Sequence, residues 1–255
     1  MSQIDISKAR EVMGISLGSW ANSPKMSHEV HAGSWHFLSG VPSPAVNMAL
    51  VSEDSEDALN HTLDAIAKMR VPSVLFLASE GKALSSHLPK TWNKIGFFTL
   101  MTKEFESRTE EFDALVSLVT RDNEKEVAEL LAESFHVASE TYSFLLQAGL
   151  DENMAVDIWV REVEGVVVST VNTTLVGDTV ALWCMATPPR YERRGYGKAL
   201  FSDVLARSMA KGARSGVLCA SSAGKPIYEA NGWMVREEWD VYVSPSIDRE
   251  RSNEF

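Results

Sequence analysis

The chain has 255 residues, of which 45% are apolar and 9% aromatic, a composition that is ordinary for one large or two small globular domains. Its formal net charge of −11 argues against a nucleic-acid or membrane partner, because anionic phosphates are bound through an excess of Lys and Arg. The N-terminus is charged where a secretory signal would be apolar, and no apolar run is long enough to span a bilayer, so we expect a cytoplasmic protein.

The first half of the chain, residues 1–106, is predicted to form one domain. Residues 1–40 show no clear pattern, but from residue 45 apolar runs alternate with segments of helical spacing. The predicted elements are a strand at 45–51, a helix at 55–70, a strand at 74–78, a short helix at 88–95 and a strand at 97–105. The charged stretch 103–111 (KEFESRTEE) is the best candidate for a linker, so a second domain is expected at 112–245.

In the second domain, a strand at 114–120 precedes a helix that Asp122 or Asn123 can cap and another helix at 139–148. Apolar runs at 157–163, 166–175 and 179–186 are separated by good turn residues, which predicts an antiparallel meander. The last predicted elements are a helix at 197–211, a strand at 216–220, a short helix at 226–230 and a strand at 234–243. Cys184 and Cys219 lie in two of these strands and are expected to be core residues rather than a disulfide or metal pair.

The two halves share an aromatic-x-x-x-Gly-aromatic segment. Trp92-Asn-Lys-Ile-Gly96-Phe97 in the first half corresponds to Tyr228-Glu-Ala-Asn-Gly232-Trp233 in the second, and a helix and a strand of similar length precede each. We interpret this as an internal duplication with a diverged first copy. Chance recurrence is the alternative, since Gly is a common stop after a short helix.

The chemistry-bearing stretch is the turn Arg193-Arg-Gly-Tyr-Gly-Lys198, which opens a predicted helix directly after an apolar strand. A helix that begins here directs unpaired N–H groups and the positive end of its dipole at the turn, and the glycines let an anion approach the backbone. The turn lacks the Gly-Lys-Ser/Thr ending of a Walker loop and the third Gly of a dinucleotide turn. A diphosphate-binding turn or a solvated helix cap remain as interpretations.

Two motifs together resemble the GCN5-related N-acetyltransferase (GNAT) family. Glu192-Arg-Arg-Gly195-Tyr-Gly197 is similar to its Gln/Arg-x-x-Gly-x-Gly/Ala signature, and Tyr228-Glu-Ala-Asn-Gly232-Trp233 is similar to its downstream Tyr-x-x-x-Gly-Phe/Trp segment. The resemblance covers residues 112–243 and implies an α/β fold with a mixed sheet, the GNAT acyl-CoA N-acyltransferase fold. The duplication then implies a tandem arrangement with an incomplete N-terminal copy.

The resemblance also implies a site. The pyrophosphate of acetyl-CoA would be bound by Arg193, Arg194, Gly195, Tyr196, Gly197 and Lys198. Main-chain groups of Met185, Ala186 and Thr187 would hold the pantetheine arm in a gap where their strand parts from the strand at 216–220. Tyr228 is the expected proton donor to the departing thiolate. Glu192 departs from the motif, and a carboxylate facing the phosphates would weaken cofactor binding.

Other residues are expected to play lesser parts. Residues 52–57 (SEDSED), at the equivalent helix start of the first copy, would repel a pyrophosphate. The general base stays open among four candidates: His136, Tyr142, Asp157 and Glu162.

No metal site is expected at the neighbouring histidines His28, His31 and His36, because no framework of Cys or carboxylate ligands at the usual spacing accompanies them. Core or cleft-wall positions are expected for four tryptophans: Trp20, Trp35, Trp159 and Trp183.

The sequence thus predicts an acetyl-CoA-dependent N-acetyltransferase acting on a primary amine of a small molecule or peptide. The negative net charge favours a cationic acceptor. A non-catalytic module that binds or senses acyl-CoA is the alternative from a different class of protein. A third interpretation is a structural protein whose glycine turn only caps a helix. The sequence does not predict an oligomeric state.

Overall fold

The structure is a computed structural model and describes residues 4–20, 26–106, 111–150 and 155–245. In chain order its helices and strands are α1 (Ile6–Gly18), β1 (Ser27–His31), β2 (Ser34–Leu38), β3 (Asn47–Val51), α2 (Glu56–Met69), β4 (Val74–Leu77), β5 (Asn93–Glu104), β6 (Val116–Leu118), α3 (Glu124–Phe135), α4 (Glu140–Gly149), β7 (Val156–Val163), β8 (Val166–Val176), β9 (Thr179–Ala186), α5 (Tyr196–Ala210), β10 (Ser215–Ala220), α6 (Lys225–Glu229) and β11 (Met234–Val243). None of the described helices has the length and apolar character needed to cross a membrane.

The chain divides into two units. The larger unit contains Met1–Asn22 and Thr99–Arg236, and the smaller unit contains Ser23–Phe98 and Glu237–Phe255. The predicted domains, 1–106 and 112–245, are contiguous, whereas each unit combines segments from both halves of the chain. The physical reason is strand pairing between residues distant in sequence, such as Leu218 with Met101 in the larger unit.

The larger unit has a mixed sheet in the order β5-β10-β9-β8-β7-β6. The pairs β7–β8 and β8–β9 are antiparallel, which confirms the predicted meander, and β9–β10 is the parallel pair. One face packs against α5 in a core that includes Trp159, Val171 and Phe201. On the opposite face, Trp183 Nε1 donates a hydrogen bond of 2.7 Å to Ser16 Oγ of α1.

An ionic network around Arg207 fixes α5 to the segment that leads into β6. Arg207 Nε donates to Asp203 Oδ2 at 2.6 Å, and its terminal nitrogen donates to the carbonyl oxygens of Asp113 and Val116, each at 3.2 Å. Asp203 Oδ1 in turn accepts from the backbone N–H of Asp113 at 2.6 Å. Since charge-assisted bonds are the stronger ones, this network sets the position of α5, whose N-terminus is the turn at 193–198.

The smaller unit has the same strand plan as the larger one. Its sheet runs β1-β2-β3-β4 and then residues 237–243 of β11, with β3–β4 as its parallel pair. Its order and strand directions match β7-β8-β9-β10-β5 of the larger unit, and α2 follows β3 as α5 follows β9. This correspondence supports the internal duplication that the sequence pattern suggested.

The short helix predicted at 88–95 is wrong. A 3₁₀ helix occupies Ser79–His87, and β5 begins at Asn93. Leu88 is extended (φ −66°, ψ 142°) because the proline that follows it disfavours helical backbone. Trp92-Asn-Lys-Ile-Gly96-Phe97 is therefore not a structural equivalent of the helix that carries Tyr228, and residues 1–40, where no element was predicted, contain α1, β1 and β2.

Candidate active site

The turn before α5 contains two residues with left-handed backbone, Arg193 (φ 60°) and Gly195 (φ 81°). Alternating right- and left-handed residues are a common backbone of anion-binding turns. Gly195 is the N-cap of α5, no side chain caps the helix, and the first turn has no acidic residue. A Cβ built on Gly195 meets no heavy atom within 4 Å, so the space beside this residue is open. The first N–H groups of a helix have no partner within the helix, and an anion is a suitable acceptor for them.

The charges around the turn are exposed. Arg193, Arg194 and Lys198 all reach solvent, as does Glu192. The equivalent helix start of the smaller unit is closed to an anion: Ser55 Oγ accepts from the backbone N–H of Ala58 at 3.2 Å, and Glu56 and Asp57 occupy the first turn. The predicted contrast between the two copies is thus present in the backbone as well as in the charges.

Gly197 joins the turn to the end of β9. A Cβ built on Gly197 would lie 2.7 Å from Thr187 Oγ1 and 3.1 Å from Met185 Cε. Only a glycine allows this close packing of a helix start against a strand end. The structure therefore brings together Met185, Thr187 and Gly197, which the sequence analysis placed in one cofactor site.

The parallel strands β9 and β10 part at this end. Their pairing stops at Leu182 and Leu218, although β9 continues to Ala186 and β10 to Ala220. The pairing of β8 with β9 shifts by one residue between Asn172–Trp183 and Thr170–Ala186, and Cys184 has a φ of 52°. Ala186 stays paired with Thr170 of β8, but residues 183–186 of β9 have no strand partner among the described residues on the side of β10, which leaves that side open to an extended ligand. The predicted gap is present.

Tyr228 lies on the segment that follows β10. Its ring packs 5.4 Å from that of Phe201 and 6.2 Å from that of Trp233 between centroids, and Met185 packs against the same core. Helix α6 ends at Glu229, and the turn after it contains Gly232 (φ 78°). The N–H of Trp233 donates to the Tyr228 carbonyl oxygen at 3.1 Å and closes this turn. Burial raises the pKa of Tyr228 to about 12, so the phenol keeps its proton at neutral pH.

The structure places the four candidate general bases in different surroundings. Asp157 accepts a hydrogen bond from Lys211 Nζ at 2.5 Å, and Glu162 lies near the opposite end of β7, beside an irregularity in its pairing with β8. His136 is exposed at the C-terminal end of α3. Tyr142 lies near Cys184, but burial raises the pKa of its phenol, so it cannot serve as a base at neutral pH. Among the described residues, no hydrogen bond joins any of the four to Tyr228 or to 185–198.

Two residues beside the bulge, Asn172 and Cys184, were not among the predicted site residues. Asn172 is 2% exposed, and its Oδ1 has no hydrogen-bond partner among the described residues. A polar residue inside a strand was the available sequence signal for it. Cys184 is a free thiol beside Asn172, and burial raises its pKa to about 12, so it is not a nucleophile at neutral pH. No sequence pattern indicated the bulge itself.

Residues 124–233 match the model of the acetyltransferase (GNAT) family. A GCN5-related N-acetyltransferase from Kribbella flavida is similar over 95% of this chain and 97% of its own, with 17% identity and a TM-score of 0.62. A putative GNAT-family acetyltransferase from Novosphingobium aromaticivorans is similar over 92% and 97%, with 13% identity and a TM-score of 0.61.

At these identities the similarity to solved structures concerns the fold alone, and it confirms the predicted α/β GNAT fold. Coverage of nearly the whole chain is consistent with the tandem arrangement. No curated protein sequence matches the chain. The family match spans the turn, the bulged strand and Tyr228, and residues 124–233 are therefore a domain of the acetyltransferase (GNAT) family.

Proposed function

We propose that the protein is an N-acetyltransferase that moves the acetyl group of acetyl-CoA to a primary amine of a small molecule or peptide. One observation carries the proposal: an uncapped helix start packs against the end of a bulged strand at the point where that strand leaves its parallel neighbour. This arrangement offers N–H groups to a diphosphate and free main-chain groups to an amide-bearing arm.

The cofactor residues divide into two groups. Backbone N–H groups of Gly195, Tyr196 and Gly197 would bind the diphosphate, with Arg193, Arg194 and Lys198 adding charge. A hydrogen bond to a charged acceptor contributes about 1.5–3 kcal/mol, so a few of them suffice to anchor the ligand. Main-chain groups of Met185, Ala186 and Thr187 would hold the pantetheine arm.

Acetyl transfer requires a neutral amine and a stabilised leaving thiolate. The amine nitrogen attacks the thioester carbonyl, the C–S bond breaks, and the amine proton leaves to a base through water. For an amine of pKa about 10.4, deprotonation at neutral pH costs roughly 4–5 kcal/mol. Tyr228, whose pKa is raised to about 12 by burial, is a weaker acid than a thiol. It would therefore stabilise the departing sulfur by donating a hydrogen bond as the C–S bond breaks.

The buried side chain of Asn172 favours an acetyl-accepting substrate that carries N–H groups. Its Oδ1 is a buried acceptor without a partner among the described residues, and such an atom is costly unless a ligand or water satisfies it. The chain's net charge of −11 also favours a cationic amine. The absence of nucleic-acid and membrane partners and a cytoplasmic location stay predictions from the sequence.

Glu192→Gln should bind coenzyme A about 2–5-fold more tightly than the wild type. Removing an exposed carboxylate next to a diphosphate relieves a repulsion of about 0.5–1 kcal/mol, which salt screens. Isothermal titration at low and high ionic strength measures the effect. Glu164→Gln, on the turn between β7 and β8, is the control and should bind as the wild type does; equal affinities for all three proteins would contradict the prediction.

A panel of primary amines tests the proposed reaction. Incubation with acetyl-CoA should release free thiol in step with acetylation of at least one amine, as followed by thiol titration and mass spectrometry. The alternative function, a non-catalytic acyl-CoA-binding module, is favoured by the commitment of Asp157 to Lys211 and by the burial of Tyr142. Binding of coenzyme A without turnover of any amine would support that alternative.

A further inference from the structure

The smaller unit contains a cluster of imidazoles around one carboxylate. Glu29 and His31 lie on the same face of β1, and Glu29 pairs directly with His36 of β2. Helix α2 packs against β2 and carries His61. Three separate elements thus direct nitrogen and oxygen donors to one place.

The donor atoms are close enough for one ion. Glu29 Oε2 lies 2.7 Å from His61 Nε2 and 3.0 Å from His31 Nε2. One ligand atom each from Glu29, His36 and His61 lies within 4.8 Å of the other two. A tetrahedral zinc site with bonds of 2.0–2.2 Å has donors about 3.3 Å apart. The side chains of His61 and Glu29 are 54% and 44% exposed, so both are free to move toward an ion.

We propose that Glu29, His36 and His61 bind a divalent zinc-class ion, with His31 placed to supply a further ligand. Imidazole nitrogens with one carboxylate suit Zn²⁺, whereas Mg²⁺ and Ca²⁺ prefer sites made of oxygen atoms. Every proposed ligand lies in the smaller unit, whereas the residues proposed for acetyl transfer lie in the larger unit.

A further polar contact holds His36, one of the proposed ligands. Metal-binding imidazoles commonly have such a partner, which fixes the orientation of the ring. Ser27 Oγ lies 2.9 Å from His36 Nε2 and orients the ring.

An ion bound here would join β1, β2 and α2. The ligands come from two strands of one hairpin and from a helix that is distant in sequence, so binding would stabilise the folded unit relative to the unfolded chain. No metal was expected at His28, His31 and His36 from the sequence. His61 lies far from these histidines in sequence, so the usual spacing of metal ligands does not reveal that it belongs to the cluster.

The test is zinc binding by the full chain after removal of metals with a chelator. Competition with a chromophoric chelator measures affinity, and thermal unfolding measures stabilisation. The wild type should bind one Zn²⁺ and unfold at a higher temperature with it, while Mg²⁺ should have no effect. His61→Ala and Glu29→Gln, both at half-exposed positions, should bind Zn²⁺ at least 10–100-fold more weakly.

A second histidine–glutamate pair of the same unit gives the matched control. His87 Nε2 lies 3.3 Å from Glu56 Oε1, and both side chains are exposed. His87→Ala removes the same chemical group as His61→Ala and should keep wild-type zinc affinity. The proposal is overturned if the wild type does not bind Zn²⁺, or if His61→Ala and His87→Ala bind it equally well, since the cluster is then only an ion pair among its own side chains.

Discussion

Tyr228→Phe lowers kcat for acetyl transfer by about 10²-fold and leaves the Kd for coenzyme A unchanged. The substitution removes one hydroxyl group and keeps the ring that packs against Phe201 and Trp233. A positioned proton donor contributes about 10²–10⁴-fold to the rate of a reaction, and the lower end applies to a weak acid that donates a hydrogen bond to the leaving sulfur. Steady-state kinetics with a turned-over amine, together with calorimetric titration of coenzyme A, separates the two effects.

The pH profile adds a second readout for this residue. Because burial raises the pKa of Tyr228 to about 12, the phenol stays protonated between pH 7 and pH 10. Loss of its proton begins only as the pH approaches that value, so Tyr228 should cause no fall in kcat in this range. Tyr242→Phe, in the smaller unit, is the control and should have wild-type kinetics. Equal kcat values for Tyr228→Phe and the wild type would remove Tyr228 from the mechanism.

Gly195→Ala weakens coenzyme A binding by about 10–100-fold. A methyl group at this position points into the space that the diphosphate would occupy and keeps it from the N–H groups at the start of α5, at a cost of one or two charge-assisted hydrogen bonds. Left-handed backbone (φ 81°) also strains an alanine by about 1–2 kcal/mol. Affinity and thermal unfolding are therefore measured on the same variant.

The Gly177→Ala variant separates the effect of backbone strain on stability from the effect of a blocked turn on coenzyme A binding. Gly177 is also left-handed (φ 61°) with nothing near a built Cβ, but it lies in the turn between β8 and β9. Both variants should lose similar stability, and only Gly195→Ala should lose affinity for coenzyme A. A loss of affinity that is the same in both variants would mean that the effect comes from stability rather than from the turn.

Local patterns predicted most elements of the larger unit, but not α1. The meander of β7, β8 and β9 follows from apolar runs broken by turn residues, and α5 follows from the glycine turn and a helical apolar spacing. Most of the candidate cofactor-binding residues lie in or next to the turn at 193–198. They could be predicted because residues adjacent in sequence form the turn. Gly197 and Thr187 illustrate this, since only nine residues span the strand end and the helix start.

Features that depend on distant residues could not be predicted in this way. The pairing of β5 with β10 and of β11 with β4 joins segments far apart in sequence, and no local pattern encodes it. The bulge at Cys184 is a local change in backbone conformation, and the uninterrupted apolar run around it does not indicate where it occurs. His61 joins Glu29 and His36 only because α2 packs on β2. In each case tertiary packing supplies the information that the local sequence lacks.

Comparing coenzyme A with pantetheine, which has the thiol arm and no diphosphate, tests the central claim that the turn at 193–198 binds a diphosphate. At 100 times its Kd, coenzyme A should raise the free energy of unfolding by about 2.7 kcal/mol. Pantetheine should need at least a tenfold higher concentration for the same effect, because it cannot use the N–H groups of the turn. Equal affinities for the two ligands, or no stabilisation by coenzyme A, would contradict the account.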